Sequence, residues 1–324
     1  MDKQKVNLQG PITFLSIVIL FLLLLFLFSC QRNKSPSGPG PNTTATVTAT
    51  ITPTGTITPT NTITATITPT ATITPECPYV NFPDPVMDAL IRIFLSKPTG
   101  YICESYLPAV TELHSSNSGL SNLTGLEYCV NLHYIEFYND SISDVSALSG
   151  LTVMTYLYMP NNNISSISPL SGLVNISVLY LYNNNISDIS ALAGMTKMTE
   201  LVMLGNKISD ISALSWMLNM NYLNLDNNAI TDISPLSGLV KTTLLFLSGN
   251  NFSDISALSG LIKLSFVDLS YNNITDISPL LANAAAGGLG SGDTVYLNNN
   301  PLSAQAQADV ETLRNTYGVN VTWP

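Results

Sequence analysis

The sequence is poor in charged residues, and above all in positive ones. Only 10% of its 324 residues are charged, against about 25% in a typical soluble domain. Eleven Lys and Arg face 21 Asp and Glu, which gives a net charge of -10. A nucleic-acid-binding protein needs a basic surface to displace counterions from phosphates, so we expect no nucleic-acid partner. Two histidines and four cysteines also argue against a histidine-rich metal centre or an iron–sulfur ferredoxin.

The motifs that carry enzyme chemistry are missing as well. The chain has no G-x-S-x-G elbow, no Walker loop, no H-E-x-x-H helix and no Cys/His pair at a plausible site. These are the patterns that supply a nucleophile, a phosphate cradle or a zinc ligand set. We therefore predict that the protein is not an enzyme and uses neither a cofactor nor a metal ion.

The longest apolar run lies near the N-terminus. Lys3 and Lys5 precede a run from Phe14 to Phe28 that only Ser16 interrupts, as in the apolar region of a signal peptide or a short membrane anchor. The sequence Leu27-Phe28-Ser29-Cys30 then resembles the lipobox of bacterial lipoproteins, although Phe28 departs from the usual small or β-branched residue.

This resemblance implies that residues 1–29 are a lipoprotein signal peptide and that Cys30 carries the lipid. The protein would then be tethered to the membrane of a bacterial envelope. Gln31 after the cysteine favours the outer membrane or cell surface over the inner membrane. A signal anchor that keeps the apolar helix is the alternative.

A low-complexity segment follows and predicts a stalk rather than a domain. From Asn42 to Pro75 the chain is almost entirely Thr, Pro, Ile and Ala, and carries no charge. Its repeated prolines remove the donors that a β-ladder needs, so residues 30–76 are interpreted as an extended linker.

The rest of the chain is built on a period of 22 residues. Each copy has an L-x-L-x-x-N-x-I segment followed by S/T-D-I-S-A/P-L-S-G-L, and we count nine strands beginning at Leu113. The last interval is six residues longer, which predicts a loop insertion near Ala284–Gly292. The repeat is marked most clearly by a column of asparagines: Asn162, Asn184, Asn206, Asn228, Asn250 and Asn272.

Elementary packing explains this pattern. Alternate leucines of a short strand point to one face, and stacked copies bury them in a continuous core that one copy cannot form alone. The asparagine amide is expected to bond backbone groups of neighbouring copies. The aspartates of the S/T-D-I-S segment are expected to cap the following turn. One carboxylate per copy supplies too few oxygens for a calcium ladder.

The repeats resemble those of bacterial internalins, within the leucine-rich repeat proteins of the 22-residue kind. The resemblance implies an α/β leucine-rich repeat solenoid that is curved and right-handed, with parallel strands on its concave face and short 3-10 or irregular convex turns. It further implies a helical N-terminal cap over residues 77–112, repeats over 113–302 and a helix–strand C-terminal cap over 303–324. Host-cell invasion does not follow, because internalin-type downstream modules are absent from this sequence.

The remaining cysteines have separate expected roles. Cys77 and Cys103 bracket the N-terminal cap, and a disulfide between them is reasonable in an oxidising compartment, with two free thiols as the alternative. Cys129 occupies a slot that leucine fills in later copies, so it is interpreted as a small core residue.

The outward positions of the strands give the candidate binding face. Contiguous exposed aromatic side chains are typical of a binding surface, although aromatic ladders also stabilise neighbouring strands. His114 and Glu136 share a column, but two ligands are too few for a metal site. The candidate ligand-binding residues are Tyr134, Glu136, Tyr138, Tyr156, Tyr158, Tyr180, Tyr182, Tyr222, Phe246, Phe266 and Asp268.

These features together predict a membrane-tethered module that binds a protein partner through its aromatic concave face. The ligand is unknown, and the module is expected to be a monomer. A glycan-binding or cell-wall-binding adhesin is the alternative, because aromatic faces also stack on sugar rings.

Overall fold

Residues 77–324 are described by the computed structural model, and they form one open parallel sheet flanked by turns and three helices. Ten strands pair in strict sequence order, so that each strand lies between its neighbours along the chain. The strands are β1 (Glu112–Ser116), β2 (Tyr134–Tyr138), β3 (Tyr156–Tyr158), β4 (Val178–Tyr180), β5 (Glu200–Val202), β6 (Tyr222–Asn224), β7 (Leu244–Phe246), β8 (Phe266–Asp268), β9 (Thr294–Tyr296) and β10 (Asn320–Thr322).

The predicted solenoid is therefore present, with nine repeat strands and a tenth supplied by the C-terminal segment. From β1 to β8 the register between neighbouring strands is 22 residues, so Leu157 pairs with Leu179 and Leu179 with Leu201; between β8 and β9 it is 28 residues. All three side chains are fully buried. Because each copy stacks its leucines on those of the next, the core runs through all the repeats.

Helices close the repeats at both ends. Helix α1 (Pro85–Phe94) precedes β1, helix α2 (Ser278–Ala285) lies between β8 and β9, and helix α3 (Ala304–Asn315) precedes β10. Asp84 caps α1 by accepting hydrogen bonds from the backbone amides of Val86 and Met87. Its second carboxylate oxygen accepts from the amides of Ser121 and Asn122, at 2.9 and 3.1 Å. One buried side chain thus joins the cap to the first repeat.

Short 3-10 helices return the chain between most repeat strands. An aspartate before the turn accepts from the backbone amide two residues on, as in Asp188 to Ser190 and Asp210 to Ser212, both at 2.8 Å. These bonds hold the pKa of both aspartates below the ordinary value. The predicted capping role of the aspartates is confirmed by these contacts.

The asparagine column makes the predicted backbone bonds. The amide nitrogen of Asn206 donates to the carbonyls of Leu181 and Met203, both at 3.0 Å, and its oxygen accepts from the amide of Ile186 at 3.0 Å. The same arrangement recurs at most copies, and it pairs backbone groups that would otherwise be buried without partners. Asn272 departs from it, because its buried side-chain oxygen has no hydrogen-bond partner within residues 77–324.

The insertion near the C-terminus is only partly a loop. The sequence predicted a loop extension over Ala284–Gly292, whereas helix α2 extends to Ala285, in the position of the 3-10 turns of the repeats before it. Extra residues give the turn enough length for α-helical bonding. The fully buried Asn283 then anchors the insertion, donating to the carbonyl of Leu258 at 2.9 Å and accepting from the amide of Leu289 at 2.8 Å.

The predicted signal peptide (1–29), the lipidation site Cys30 and the stalk (30–76) lie outside the described residues. Within residues 77–324, no helix combines the length and the apolar character needed to cross a bilayer.

Candidate functional site

The face of the sheet opposite the core, which we call the outer face, presents three columns of side chains. The first and third residues of each strand form the first two columns, and the residue two positions further along the chain forms the third. In the first column Tyr134 pairs with Tyr156, and in the second Glu136 pairs with Tyr158. The 22-residue period therefore fixes which side chains are neighbours on this face.

Six tyrosines on β2, β3 and β4 or just beyond them form a connected group, which we call the tyrosine patch: Tyr134, Tyr138, Tyr156, Tyr158, Tyr180 and Tyr182. The rings of Tyr134 and Tyr156 are stacked, with centroids 4.3 Å apart and planes within 4°. Tyr158 lies at the centre, with ring centroids of Tyr138, Tyr180 and Tyr182 at 5.8, 5.5 and 6.1 Å. All six side chains are only partly buried, so the patch is accessible from one side.

Hydroxyl groups connect the patch to two glutamates. Tyr180 donates to a carboxylate oxygen of Glu200 at 2.6 Å, and Tyr134 donates to Glu136. The hydroxyl oxygens of Tyr158 and Tyr182 lie 2.8 Å apart. These bonds fix the orientation of four of the six rings.

Partial burial keeps four tyrosines of the patch neutral. Desolvation raises the pKa of Tyr156 to about 12 and raises the pKa values of Tyr134, Tyr158 and Tyr180 further still. The hydroxyls of Tyr134 and Tyr180 therefore remain hydrogen-bond donors to carboxylates throughout the physiological range.

Glu136 is held between two donors. Its carboxylate accepts from Tyr134 and lies 3.0 Å from the Nδ1 atom of His114 on the neighbouring strand β1. Burial alone would raise the pKa of Glu136, but the bonds from His114 and Tyr134 outweigh it and bring this pKa below its ordinary value. The pKa of His114 is raised, chiefly by the hydrogen bond to Glu136. The pair makes an ion pair when the imidazole is protonated.

A second aromatic group lies on β6 to β9. Tyr222 and Phe246 meet edge to face at 5.6 Å, and Phe246 stacks on Phe266 at 4.8 Å. Phe266 contacts Tyr296 at 5.5 Å. Between this group and the tyrosine patch runs β5, whose outward residues are Glu200 and the buried Val202.

Two aspartates accompany the second group. A carboxylate oxygen of Asp268 accepts from the amide of Ser270 at 2.9 Å, and one of Asp226 accepts from the amide of Ser248 at 2.7 Å. Burial, followed by the charge of Asp268, raises the pKa of Asp226 to about 7. The charge of Asp226 therefore changes near neutral pH.

The structure brings together most of the residues that the sequence selected, and it adds Asn224, which sequence reasoning missed. Asn224 lies in the second column and is 1% exposed; its oxygen accepts from the amide of Asp226 at 3.0 Å. The column position was readable from the period, but its burial was not. Tyr271 lies in the left-handed turn after β8, with φ of 55°, and is 62% exposed.

Within the described residues, no group of three or more His, Cys, Asp or Glu side chains is arranged to hold a metal ion. The outer face carries aromatic rings in contact with one another and carboxylates held by hydrogen bonds.

Comparison with known proteins agrees with this architecture. The leucine-rich repeat family (two copies) matches residues 152–194 and 174–216. An internalin (inlF) of Listeria monocytogenes is 32% identical to this chain. The alignment spans 75% of this chain and 68% of the internalin, with a TM-score of 0.64. The chain belongs to the internalin-like leucine-rich repeat proteins.

Internalin C2 (inlC2) of the same bacterium is 27% identical to this chain. The alignment spans 75% of this chain and 94% of internalin C2, with a TM-score of 0.58. The ectodomain of the Arabidopsis thaliana receptor kinase GASSHO1/SCHENGEN3, solved with CASPARIAN STRIP INTEGRITY FACTOR 2, shares the fold at 20% identity. This alignment spans 61% of this chain and 25% of the receptor chain, with a TM-score of 0.52. No curated protein matched the chain.

Leucine-rich repeat proteins, as a family, mediate protein–protein binding. In this internalin-like domain the cap is held by a disulfide between Cys77 and Cys103, whose Cα atoms are 5.7 Å apart. Cys129 is a free thiol, fully buried in the core. Burial and the nearby Glu127 raise its pKa to about 12, which makes it unreactive.

Proposed function

We propose that this internalin-like protein binds a protein ligand on the outer face of its sheet, with the tyrosine patch at the centre of the contact. The observation that carries the proposal is the connected group of six half-buried tyrosines, four of whose hydroxyls are already paired with carboxylates or with each other. Tyr contributes large contact area at low rotamer entropy and a polar end. Because these side chains are ordered in advance, a ligand loses little free energy in fixing them.

The alternative role, a purely structural ladder of aromatics, predicts different behaviour. A ladder requires only that neighbouring rings touch, whereas here the tyrosines also aim hydroxyls at Glu136 and Glu200 on the accessible face. The glycan alternative requires ring faces that are free to stack on a sugar. Tyr134 and Tyr156 stack on each other at 4.3 Å, which favours a protein ligand over a glycan.

The test is a capture experiment with the full-length protein in mild detergent. Wild type and the triple variant Tyr158→Ser, Tyr180→Ser, Tyr182→Ser are exposed to envelope and extracellular material. The control triple Tyr79→Ser, Tyr106→Ser, Tyr128→Ser removes exposed tyrosines that lie outside the ten strands. We expect wild type and control to capture the same protein and the patch variant to lose it, while thermal melts confirm that all three are folded.

Other outcomes would contradict the proposal. If the folded patch variant still captures the same species, the contact lies elsewhere. If the patch variant melts early, the tyrosines are a structural ladder. If soluble sugars release the captured species, the ligand is a glycan.

We propose further that the protein is held in a bacterial envelope by lipid on Cys30, on the outer membrane or cell surface, with residues 30–76 as a stalk. The lipobox-like sequence Leu27-Phe28-Ser29-Cys30 supports this tether. Wild type should incorporate an alkyne-labelled fatty acid and partition into detergent, and Cys30→Ser should do neither. Partition of Cys30→Ser with the detergent would favour a retained signal anchor instead.

A further inference from the structure

The outer face carries negative charge and no strong positive charge. Over the three outward columns of β1 to β10, no Lys or Arg occurs, and His114 is the only basic side chain. The aromatic residues in these columns number ten, and the carboxylates lie among them: Glu112, Glu136, Glu200, Asp226 and Asp268.

The basic residues of the repeats are used elsewhere. Lys197 donates to Asn175 at 2.7 Å and Lys241 to Asn219 at 2.8 Å, at positions outside the strands and their columns. Among residues 77–324 the ion pairs of Asp and Glu are Arg92–Asp88, His114–Glu136 and Arg314–Glu311. Glu200 and Asp268 therefore have no counter-ion within the described part of the chain.

Aromatic rings flank both of these unpaired carboxylates. Glu200 lies in the first column beside Tyr222 and accepts from Tyr180. Asp268 pairs in register with Phe246 and with Tyr296. A carboxylate beside aromatic faces attracts a cation in two ways, by its charge and by the quadrupole of the rings.

We propose that the ligand segment seated on this face is basic, with Lys or Arg side chains that meet Glu200 and Asp268 between the aromatic rings. The proposal rests on the proposed function and specifies the chemistry of the partner. Charge complementarity of this kind also speeds association and rejects acidic competitors.

The spacing of the carboxylates specifies the segment further. Glu136, Glu200 and Asp268 lie on β2, β5 and β8, which are three strands apart in each case. At the usual strand separation this is roughly 14 Å across the sheet, with Glu200 one column to the side of the other two carboxylates. An extended peptide advances about 3.4 Å per residue, so four residues span nearly the same distance and return to the same side. An extended segment with basic residues at four-residue intervals matches this face.

A random library of twelve-residue peptides, selected on the immobilised full-length protein in detergent, tests the proposal. Clones that also bind the Tyr158→Ser, Tyr180→Ser, Tyr182→Ser variant are removed, so the remaining peptides depend on the tyrosine patch. We expect those peptides to be enriched in Lys and Arg over the library, with four-residue spacing the favoured arrangement.

Charge variants then locate the contact. Glu200→Gln with Asp268→Asn removes two charges from the face and keeps side-chain oxygens that can accept from Tyr180 and from the Ser270 amide. The control, Glu104→Gln with Glu311→Gln, removes two exposed charges outside the face. We expect the selected peptides to bind the first pair roughly tenfold more weakly and the control pair with little change.

The inference and the proposed function can fail separately. Patch-dependent peptides without an excess of Lys and Arg, or equal binding to both charge variants, would overturn the basic ligand while leaving the patch as the contact. If every selected peptide binds the tyrosine variant as well as wild type, both proposals fail.

Discussion

The hydroxyl of Tyr180 on β4 donates a 2.6 Å hydrogen bond to the carboxylate of Glu200 on β5. Their columns differ, so this diagonal contact joins two neighbouring repeats across the accessible face. The bond orients an otherwise unpaired charge and one ring of the tyrosine patch at the same time. It is the contact through which the aromatic and acidic parts of the face act as one surface.

Removing this hydroxyl should cost more than removing another one from the same patch. Tyr180→Phe loses a bond to an ionised acceptor, and we expect the free energy of unfolding to fall by about 1 kcal/mol. Tyr138→Phe, whose ring packs on Tyr158, serves as the control and should change it by less than about 0.5 kcal/mol. Urea denaturation measures both, and equal losses would show that the hydroxyl of Tyr180 adds nothing.

The asparagine column allows a comparison of two positions in one protein. Asn206→Ala leaves the amide of Ile186 without a partner and removes one of the two amide bonds that the carbonyls of Leu181 and Met203 each accept. We therefore expect a loss of about 3 kcal/mol. Asn272→Ala removes bonds donated to the carbonyls of Leu247 and Leu269 but no accepted bond. Its loss should be smaller by about 1 kcal/mol. Denaturant midpoints in the opposite order would contradict the prediction.

The pKa of the His114 imidazole should depend on Glu136. Because the pKa of His114 is raised in the folded state, the ion pair contributes stability that is fully present below the unfolded pKa of about 6.5. This contribution is lost as the pH rises through the folded pKa. NMR titration of the imidazole should show its pKa falling in Glu136→Gln. An unchanged value would mean that the contact does not form in solution.

Asp226 should lower stability at high pH. Its folded pKa of about 7 lies above the unfolded value of about 3.9, so folding favours the protonated form and stability declines as the pH rises through about 7. Asp226→Asn keeps an acceptor for the Ser248 amide and should stabilise the protein by roughly 1–2 kcal/mol at pH 8, with little effect at pH 3.5. Thermal melts at the two pH values measure this difference. Asp268→Asn should shift the transition to lower pH.

The buried thiol offers a test of the core. With its pKa raised to about 12, Cys129 should resist iodoacetamide at pH 8 in the native protein and react fully in urea. Peptide mapping of the alkylated chain separates it from Cys30. Fast native labelling of Cys129 would show that the core opens at β1 and β2.

Most of the fold is predictable from the 22-residue period alone. Residue types that recur every 22 positions must meet in register, which is why the backbone bonds of Asn206 and Asp188 are predictable from the sequence. Helix α2 was missed because the period fails there, and only the length of the insertion was readable. The site was predictable as columns but not as contacts. The bond from Tyr180 to Glu200 depends on side-chain rotamers, and the raised pKa of Asp226 depends on local burial; neither leaves a mark on sequence spacing.

The alternation within β4, where buried Leu179 lies between the outward Val178 and Tyr180, has a consequence for how such a surface can change. Inward residues hold neighbouring copies together, while each outward side chain contacts only the outward side chains beside it. Binding specificity can therefore change by substitution of one outward residue at a time, while the buried core stays intact. Duplication of one 22-residue repeat would lengthen the outer face by the outward side chains of one strand.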